Sequence, residues 1–410
     1  VFAVIAGVKM LYIVRNDLES NIRSLFLLGS VSMLYDTGIL IRFITGYNTA
    51  VSALCKDAVC ILLGLIVAWV VSRLIFSKKI SSADPKLLVC ISTGLILLTC
   101  GAICAAAVCR LLSDRGDGSV DIRGVSIQLP EILKTELVLS AALTSIAMRS
   151  KRLYIFNFYG SSAAVLFILA FVFKEYGTTL LIIYFTLAVS VLLTSARDSR
   201  PAPPTNSSDI FGKIDNFLCS SSMPTLFTVL FFIITGIVKR ILYIRFPLRG
   251  SAGEEVYGLN NSAFNLSSRL SADSSQIEYA RGVFSGSWPV QLNFNSSVRI
   301  PHAELETSLA DYSFAVSGSV LGRYIALLIL LVFSVSLLRI ILSQREHMLA
   351  RAAGAMLLLQ MFVHCSGILL CFCYTGVNLP FLSVGGSSLV SSVIIASLIL
   401  ISRRKCYEDD

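Results

Sequence analysis

Three carboxylates, Glu131, Glu175 and Asp311, stand where long apolar segments meet polar connections. An acid at such a boundary can accept a proton, balance a cation or favour the positive end of a helix that starts there. A fourth feature is the run Pro380, Gly385, Gly386, Ser387 and Ser388, just ahead of the last apolar segment. Its glycines permit close backbone approach, and unpaired N–H groups at the following helix start can hold an anion. A single carboxylate at a helix end is an ordinary cap. Several such groups on one face of a membrane describe a site built from several helix ends.

The elements that must position these groups are membrane helices. Apolar stretches of 18 or more residues recur along the chain, and lipid offers no partner to a free backbone N–H or C=O. Eleven segments are expected, near 1–14, 22–46, 51–77, 86–112, 130–148, 153–173, 178–196, 223–247, 314–343, 349–374 and 382–402. Lys and Arg cluster in alternate connections: Arg73 to Lys86, Arg149 to Arg152, Arg197 to Lys213, Arg345 to Arg351, and Arg403 to Lys405. The excess of positive charge places these in the cytosol. The other connections then face outward, with a polar loop at 248–313 as the largest, and the three carboxylates and the Gly-Gly-Ser-Ser run all fall on that outer side. The Pro-rich stretch near Pro201, Pro203 and Pro204 reads as a cytosolic linker.

Composition agrees. Of 410 residues, 55% are hydrophobic and only 14% charged, and mean hydropathy is +0.78. A soluble enzyme, a disordered chain and a disulfide framework are excluded. Alternating strands of an outer-membrane barrel are absent. The net charge of +9 reflects basic cytosolic loops rather than nucleic-acid binding. The first segment is not read as a signal peptide, because no small-residue cleavage site follows it. The 11 cysteines lie mostly in or beside apolar segments at no zinc spacing, and read as small packing residues. No internal repeat supports inverted-repeat transporter architecture.

Several motifs together resemble the SEDS family (shape, elongation, division and sporulation; FtsW, RodA and SpoVE). The stretch GVNLPFLSVGGSSL is similar to the family's closing signature TGxPLPFxSYGGSSL: Gly376, Pro380, Phe381, Ser383, Gly385, Gly386, Ser387, Ser388 and Leu389 match, and Val384 replaces Tyr. SIQLPEILKTELVL resembles the IQPSExxK helix start, with Gln128, Glu131 and Lys134 kept. KEYGTTLL resembles the QPDLGTA turn, with Glu175 at the Asp position. ADYSFAVSGSVLG resembles TDFIFAVxxEELG: Asp311, Phe314, Ala315, Val316, Leu321 and Gly322 are kept, but Ser317, Gly318 and Ser319 stand where an acidic pair is expected. LLGLIVAWVVSRL resembles the second family helix, MLYDTG falls at MVYSAS in the first, Gln360 matches the family Gln, and His364 sits at its Asn.

The resemblance implies an all-α polytopic membrane protein: a SEDS-like bundle of ten family helices over 22–405, one extra segment at 1–14, the large extracytoplasmic loop at 248–313 and a tail at 406–410. It implies a peptidoglycan glycosyltransferase in the bacterial cytoplasmic membrane. Such an enzyme polymerises lipid II on the outer face, beside a class B penicillin-binding protein. Asp311 is then the catalytic residue, matching the family's essential Asp. Glu131 and Lys134, three apart on one helix face, shape the cavity or neutralise each other. Glu175 caps a helix or lines the cavity. Lys56, Lys239 and Arg240 either meet the pyrophosphate or snorkel at helix ends. Gly385, Gly386, Ser387 and Ser388 are counted with the substrate-binding residues. No metal site is expected from His302 or His364, and a divalent cation stays open as a cofactor. Two rival functions remain: a flippase or transporter of the lipid-linked precursor, and a catalytically weakened scaffold for the transpeptidase.

Overall fold

The computed structural model describes residues 18–45, 50–77, 84–111, 119–122, 125–148, 154–172, 176–195, 275–290, 309–310, 312–343, 346–369 and 377–408. The expected segments at 1–14 and 223–247, with Glu175, Lys239, Arg240, His302 and Asp311, lie outside the described residues. In chain order the helices are α1 (Leu18–Thr45), α2 (Ala50–Ile75), α3 (Pro85–Leu111), α4 (Leu129–Ala147), α5 (Ile155–Phe167), α6 (Tyr176–Ser195), α7 (Ser275–Gly286), α8 (Ser313–Leu321), α9 (Arg323–Leu342), α10 (Met348–Ile368) and α11 (Gly386–Glu408). α5 runs on into a π turn, Ile168–Val172. Four spans, Ser24–Thr45, Leu54–Ile75, Arg323–Leu342 and Met348–Ser366, are long and apolar enough to cross a bilayer, and Pro85–Gly101, Ile155–Ala170, Gly177–Leu193 and Gly386–Ser402 are shorter apolar helices. The chain is a polytopic helical membrane protein.

Three features depart from the hydropathy reading. The expected single segment at 314–343 is two helices: α8 ends at Gly322, whose φ of 88° suits a residue without Cβ, and α9 begins at the next residue. At 9 residues α8 is about 13 Å long, too short to span, and every one of its residues is buried in protein. Within the polar loop, residues 275–286 form helix α7. The connection before α4 folds into an antiparallel hairpin, β1 (Ser119–Ile122) with β2 (Val125–Gln128), pairing Ser119 with Gln128 and Ile122 with Val125. Pro130 then opens α4, where a missing N–H costs nothing, and Glu131 sits in the first turn against the positive helix end.

α10 is the centre of the bundle. It packs against α4, α6, α9 and α11, and 78% of its span is buried, against 28% for α2. Its Ala350, Ala352, Ala353, Gly354 and Ala355 let neighbours approach closely. α2 lies along α11, where a Cβ on Gly64 would come within 2.9 Å of Val393 Cγ1 and 3.1 Å of Val390 O. Polar side chains join helices at depth: Ser30 Oγ to Ser336 Oγ across α1 and α9 (3.1 Å), and Ser92 Oγ to Ser140 Oγ across α3 and α4 (2.9 Å). Asn157 of α5 donates to Ser92 Oγ at 3.2 Å and accepts from Thr93 Oγ1.

Gly64→Leu is expected to destabilise the folded protein through overpacking, at a cost of about 1–3 kcal/mol. Gly94→Leu is the comparison, because nothing lies within 4 Å of its would-be Cβ. Thermal melts of the two variants in detergent check this. Equal melting temperatures would mean that the α2–α11 contact is not close-packed.

Candidate functional site

The site is built around the non-helical turn that precedes α11. Residues Val377 to Ser383 are buried, so their backbone groups need protein partners. Ser383 is central to this. Its Oγ accepts the Leu379 N–H at 2.7 Å and donates to Ala310 O at 2.8 Å. Ser313 Oγ lies 2.8 Å away and, with the Ser383 proton on Ala310, acts as donor to Ser383. Val384 N–H donates to Leu309 O at 2.7 Å. From α10, Gln360 Nε2 donates to Asn378 O at 2.9 Å. His364 Nδ1 reaches Val377 O at 2.6 Å, which puts the proton on Nδ1 and turns Nε2 towards Ser313 Oγ at 3.4 Å. Leu309, Ala310 and Ser313, on either side of Asp311, are therefore held to the closing turn, and the turn is held to α10. His364 serves as a hydrogen-bonding group between the two.

The strained residue of this turn is Phe381, with φ 64°, packed edge-on to Phe333 at 6.3 Å between centroids. This corrects the role expected of the glycines. Gly385 has room for a Cβ, whose nearest neighbour would be Asn378 Nδ2 at 3.5 Å, and Gly386 would meet Cys60 Sγ at 3.4 Å. Neither has the positive φ that favours glycine. The close backbone approach falls instead on Gly38 of α1, whose Cβ would lie 2.9 Å from Leu382 O. Ser387 and Ser388 open α11, and Ser388 is buried.

Glu131 and Lys134 do meet. Lys134 Nζ donates to Glu131 Oε1 at 2.6 Å, with both residues buried. Lys134 is among the largest fully buried side chains of the described residues. Glu131 Oε2 is buried with no hydrogen-bond partner among them. Leaving such an oxygen unpaired costs about 1–3 kcal/mol, which a bound ligand, ion or water would offset; Glu136 Oε2, on the same helix, is in the same condition. Their helix, α4, packs on α10 and α11, the two helices that hold the closing turn. Lys56 is not brought in: it is exposed on α2.

A second buried ion pair went unread in the sequence. Arg42 Nη1 of α1 donates to Asp57 Oδ2 of α2 at 2.5 Å, and Tyr35 O–H donates to the same oxygen at 3.3 Å. Tyr35, Gly38 and Arg42 share one face of α1, so this pair flanks the Gly38 contact with the closing turn. The available signal was Asp57 itself, an acid inside an apolar segment. On the far side of the site, Phe284 of α7 packs on α8 at 4.6 Å from Phe314, and a Cβ on Gly318 would strike the Phe284 ring at 2.5 Å. Ser317 and Ser319 bond back to Phe314 O and Val316 O within α8. The absent acidic pair thus has a packing counterpart: at Gly318 the space a side chain would take belongs to an aromatic ring.

Two outcomes are expected. Glu131→Gln leaves a buried, unpaired Lys134 and should cost about 3–5 kcal/mol, with much of the folded yield recovered by adding Lys134→Met. Recovery of folded, monodisperse protein reads this, and a fully stable single variant would refute the buried pair. In the closing turn, Ser383→Ala should lower the melting temperature more than Gly385→Ala. The serine change strands the Leu379 N–H and Ala310 O, at about 1–3 kcal/mol for each unsatisfied group. The reverse order would return the constraint to the glycine.

Comparison with known proteins follows the same division of the chain. Residues 302–407, which contain α8 to α10, the closing turn and all but the last residue of α11, match the FtsW/RodA/SpoVE family, described as cell cycle proteins. A search of curated proteins finds no match. Among solved structures, the fold is similar to a chain from work on the structural coordination of polymerization and crosslinking by a peptidoglycan synthase complex. That likeness has a TM-score of 0.55 and 17% identity, and covers 92% of this chain and 98% of that one. It is also similar to the rod shape determining protein RodA of Thermus thermophilus, with a TM-score of 0.52, 17% identity and coverage of 93% and 96%. An aspartate-to-alanine mutant of RodA matches at 0.52 and 16%, over 93% and 97%. The resemblance read from the motifs is borne out: residues 302–407 carry the FtsW/RodA/SpoVE family sequence, on a chain with the polytopic helical fold of RodA.

Proposed function

We propose that the chain is a peptidoglycan glycosyltransferase of a bacterial cytoplasmic membrane, acting on lipid II at the outer face. One observation carries the reading most. The segment matching the family is also the one in which Leu309, Ala310 and Ser313, flanking Asp311, are bonded to the closing turn. A carboxylate used as a base needs that kind of fixed setting, because proton transfer depends on placement within hydrogen-bond reach.

In this reading Asp311 takes the proton from the acceptor sugar hydroxyl as its oxygen attacks the donor's anomeric carbon. The bond from that carbon to pyrophosphate breaks, and undecaprenyl pyrophosphate leaves with the bonding electrons. One inverting displacement turns an α-linked donor into a β-linked product, so no covalent sugar–enzyme intermediate is needed. Lys134 supplies positive charge for the leaving group, and the unpaired oxygen of Glu131 accepts from a substrate hydroxyl. Glu175, Lys239, Arg240 and the Ser387–Ser388 helix start are the further substrate contacts expected in this reading. The expected partner is a class B penicillin-binding protein that cross-links the strands.

Asp311→Asn should lower polymerisation by about 10²–10⁴-fold while leaving the protein folded and able to bind lipid II. The assay is gel analysis of glycan strands made from labelled lipid II by purified protein, with and without the partner. Near-parental activity in the variant would remove Asp311 as base and send the search to Glu304 and Glu306. No polymer from the parental protein, with or without its partner, would abandon the enzyme reading. Precursor transfer across vesicles would then mark a transporter, and stimulation of the transpeptidase alone a scaffold.

A further inference from the structure

The chain has 2 tryptophans, and one of them, Trp288, stands 72% exposed just after α7. Pro289 follows it, and Val290 is 64% exposed. This short segment is fixed to the start of α9. Arg323 N–H donates to Trp288 O at 3.1 Å, and Tyr324 N–H donates to Pro289 O at 3.0 Å. Two of the unpaired N–H groups that any helix start presents are satisfied in this way. Arg323 Nη1 adds a bond to Ser285 O at 3.2 Å, and Phe284 is seated on α8.

Below this junction α9 presents one apolar stripe to the outside: Tyr324, Leu327, Leu328, Leu331, Val335, Leu338 and Leu342 are all exposed. Their spacing of three and four residues puts them on one helix face. α9 has 20 residues, about 30 Å of helix, which matches the hydrocarbon thickness of a bilayer. If the stripe faces acyl chains over that length, the first turn of α9 lies at the level of the lipid headgroups. Tyr324 and Trp288 then occupy the depth where amphipathic rings concentrate. Arg323, 5.3 Å from the Tyr324 ring, brings a guanidinium to the depth of the lipid phosphates.

We propose that Trp288, Val290, Arg323 and Tyr324 form a phospholipid contact that seats helix α7 of the outer loop in the headgroup region. The occupant is the lipid leaflet itself, because the patch shares Tyr324 with the exposed apolar stripe of α9, whose length matches a bilayer. α7 is thereby tied to the membrane and reaches α8 from a fixed height.

Trp69→Phe leaves Trp288 as the single tryptophan of an otherwise intact chain. This variant is reconstituted into phosphatidylethanolamine–phosphatidylglycerol vesicles whose chains are brominated either near the headgroup or near the terminal methyl. The expected result is blue-shifted emission, quenched more by shallow bromines than by deep ones. Adding Arg323→Gln and Tyr324→Ser should shift the emission to the red and weaken the shallow quenching. Quenching by aqueous iodide but by neither bromolipid would overturn the proposal, since Trp288 would then be in water. Protection from all quenchers would overturn it as well, by showing a protein surface over the patch. So would stronger quenching by deep bromines.

Discussion

The structure depends on a turn that cannot rely on water. Residues 377–383 break the helical pattern inside protein, where every N–H and C=O left without a partner is costly. Ser383, Ser313, Gln360 and His364 answer that demand together. Because the partners come from three separate stretches of chain, satisfying the turn also places the ends of α8 and α11 and binds both to α10. Packing then follows: α10, lined with alanines, can be the centre only if its neighbours are brought close. Gly38 and Gly64 allow α1 and α2 to close against the turn and α11.

Charge obeys the same constraint. Among the described residues two buried ion pairs lie near the site, Glu131 with Lys134 and Arg42 with Asp57, and Thr99 gives Glu136 a hydroxyl at 2.5 Å. Replacing such pairs by apolar residues is often neutral or stabilising, so they are weak evidence for stability and better evidence for use. The two pairs differ in that respect. Asp57 is met by both Arg42 and Tyr35 from α1, which suits a fixed joint between α1 and α2, although Arg42 Nε has no partner among the described residues; in the other pair the open atom is an acceptor, Glu131 Oε2.

The loop helix α7 adds a second joint. An aromatic ring seated on a glycine is a tight contact between two short elements, and it occupies the stretch where the family pattern carries acids. In this chain the Phe284 ring fills the space over Gly318.

Sequence alone determined that the chain is a bundle of membrane helices. Apolar length and the distribution of Lys and Arg report the free energy of transfer to lipid, and that quantity is local. It also showed Glu131 and Lys134 on one face, since a spacing of three fixes direction on any helix, and it drew attention to the 309–313 and 376–389 stretches through their resemblance. What the tertiary structure decided is whatever requires knowing a neighbour. Hydropathy ran through Gly322 because apolarity carries no information on backbone direction, yet there α8 ends and α9 begins. It treated 113–129 and 248–313 as plain polar loops, whereas a hairpin and α7 form there from pairing and docking. The glycine motif suggested conformational freedom at Gly385 and Gly386, but the positive φ falls on Phe381, where bonds to distant residues outweigh the local preference. Asp57 and Arg42 were visible as charges and not as a pair, because the contact joins two helices whose relative rotation is set only when both pack against the rest.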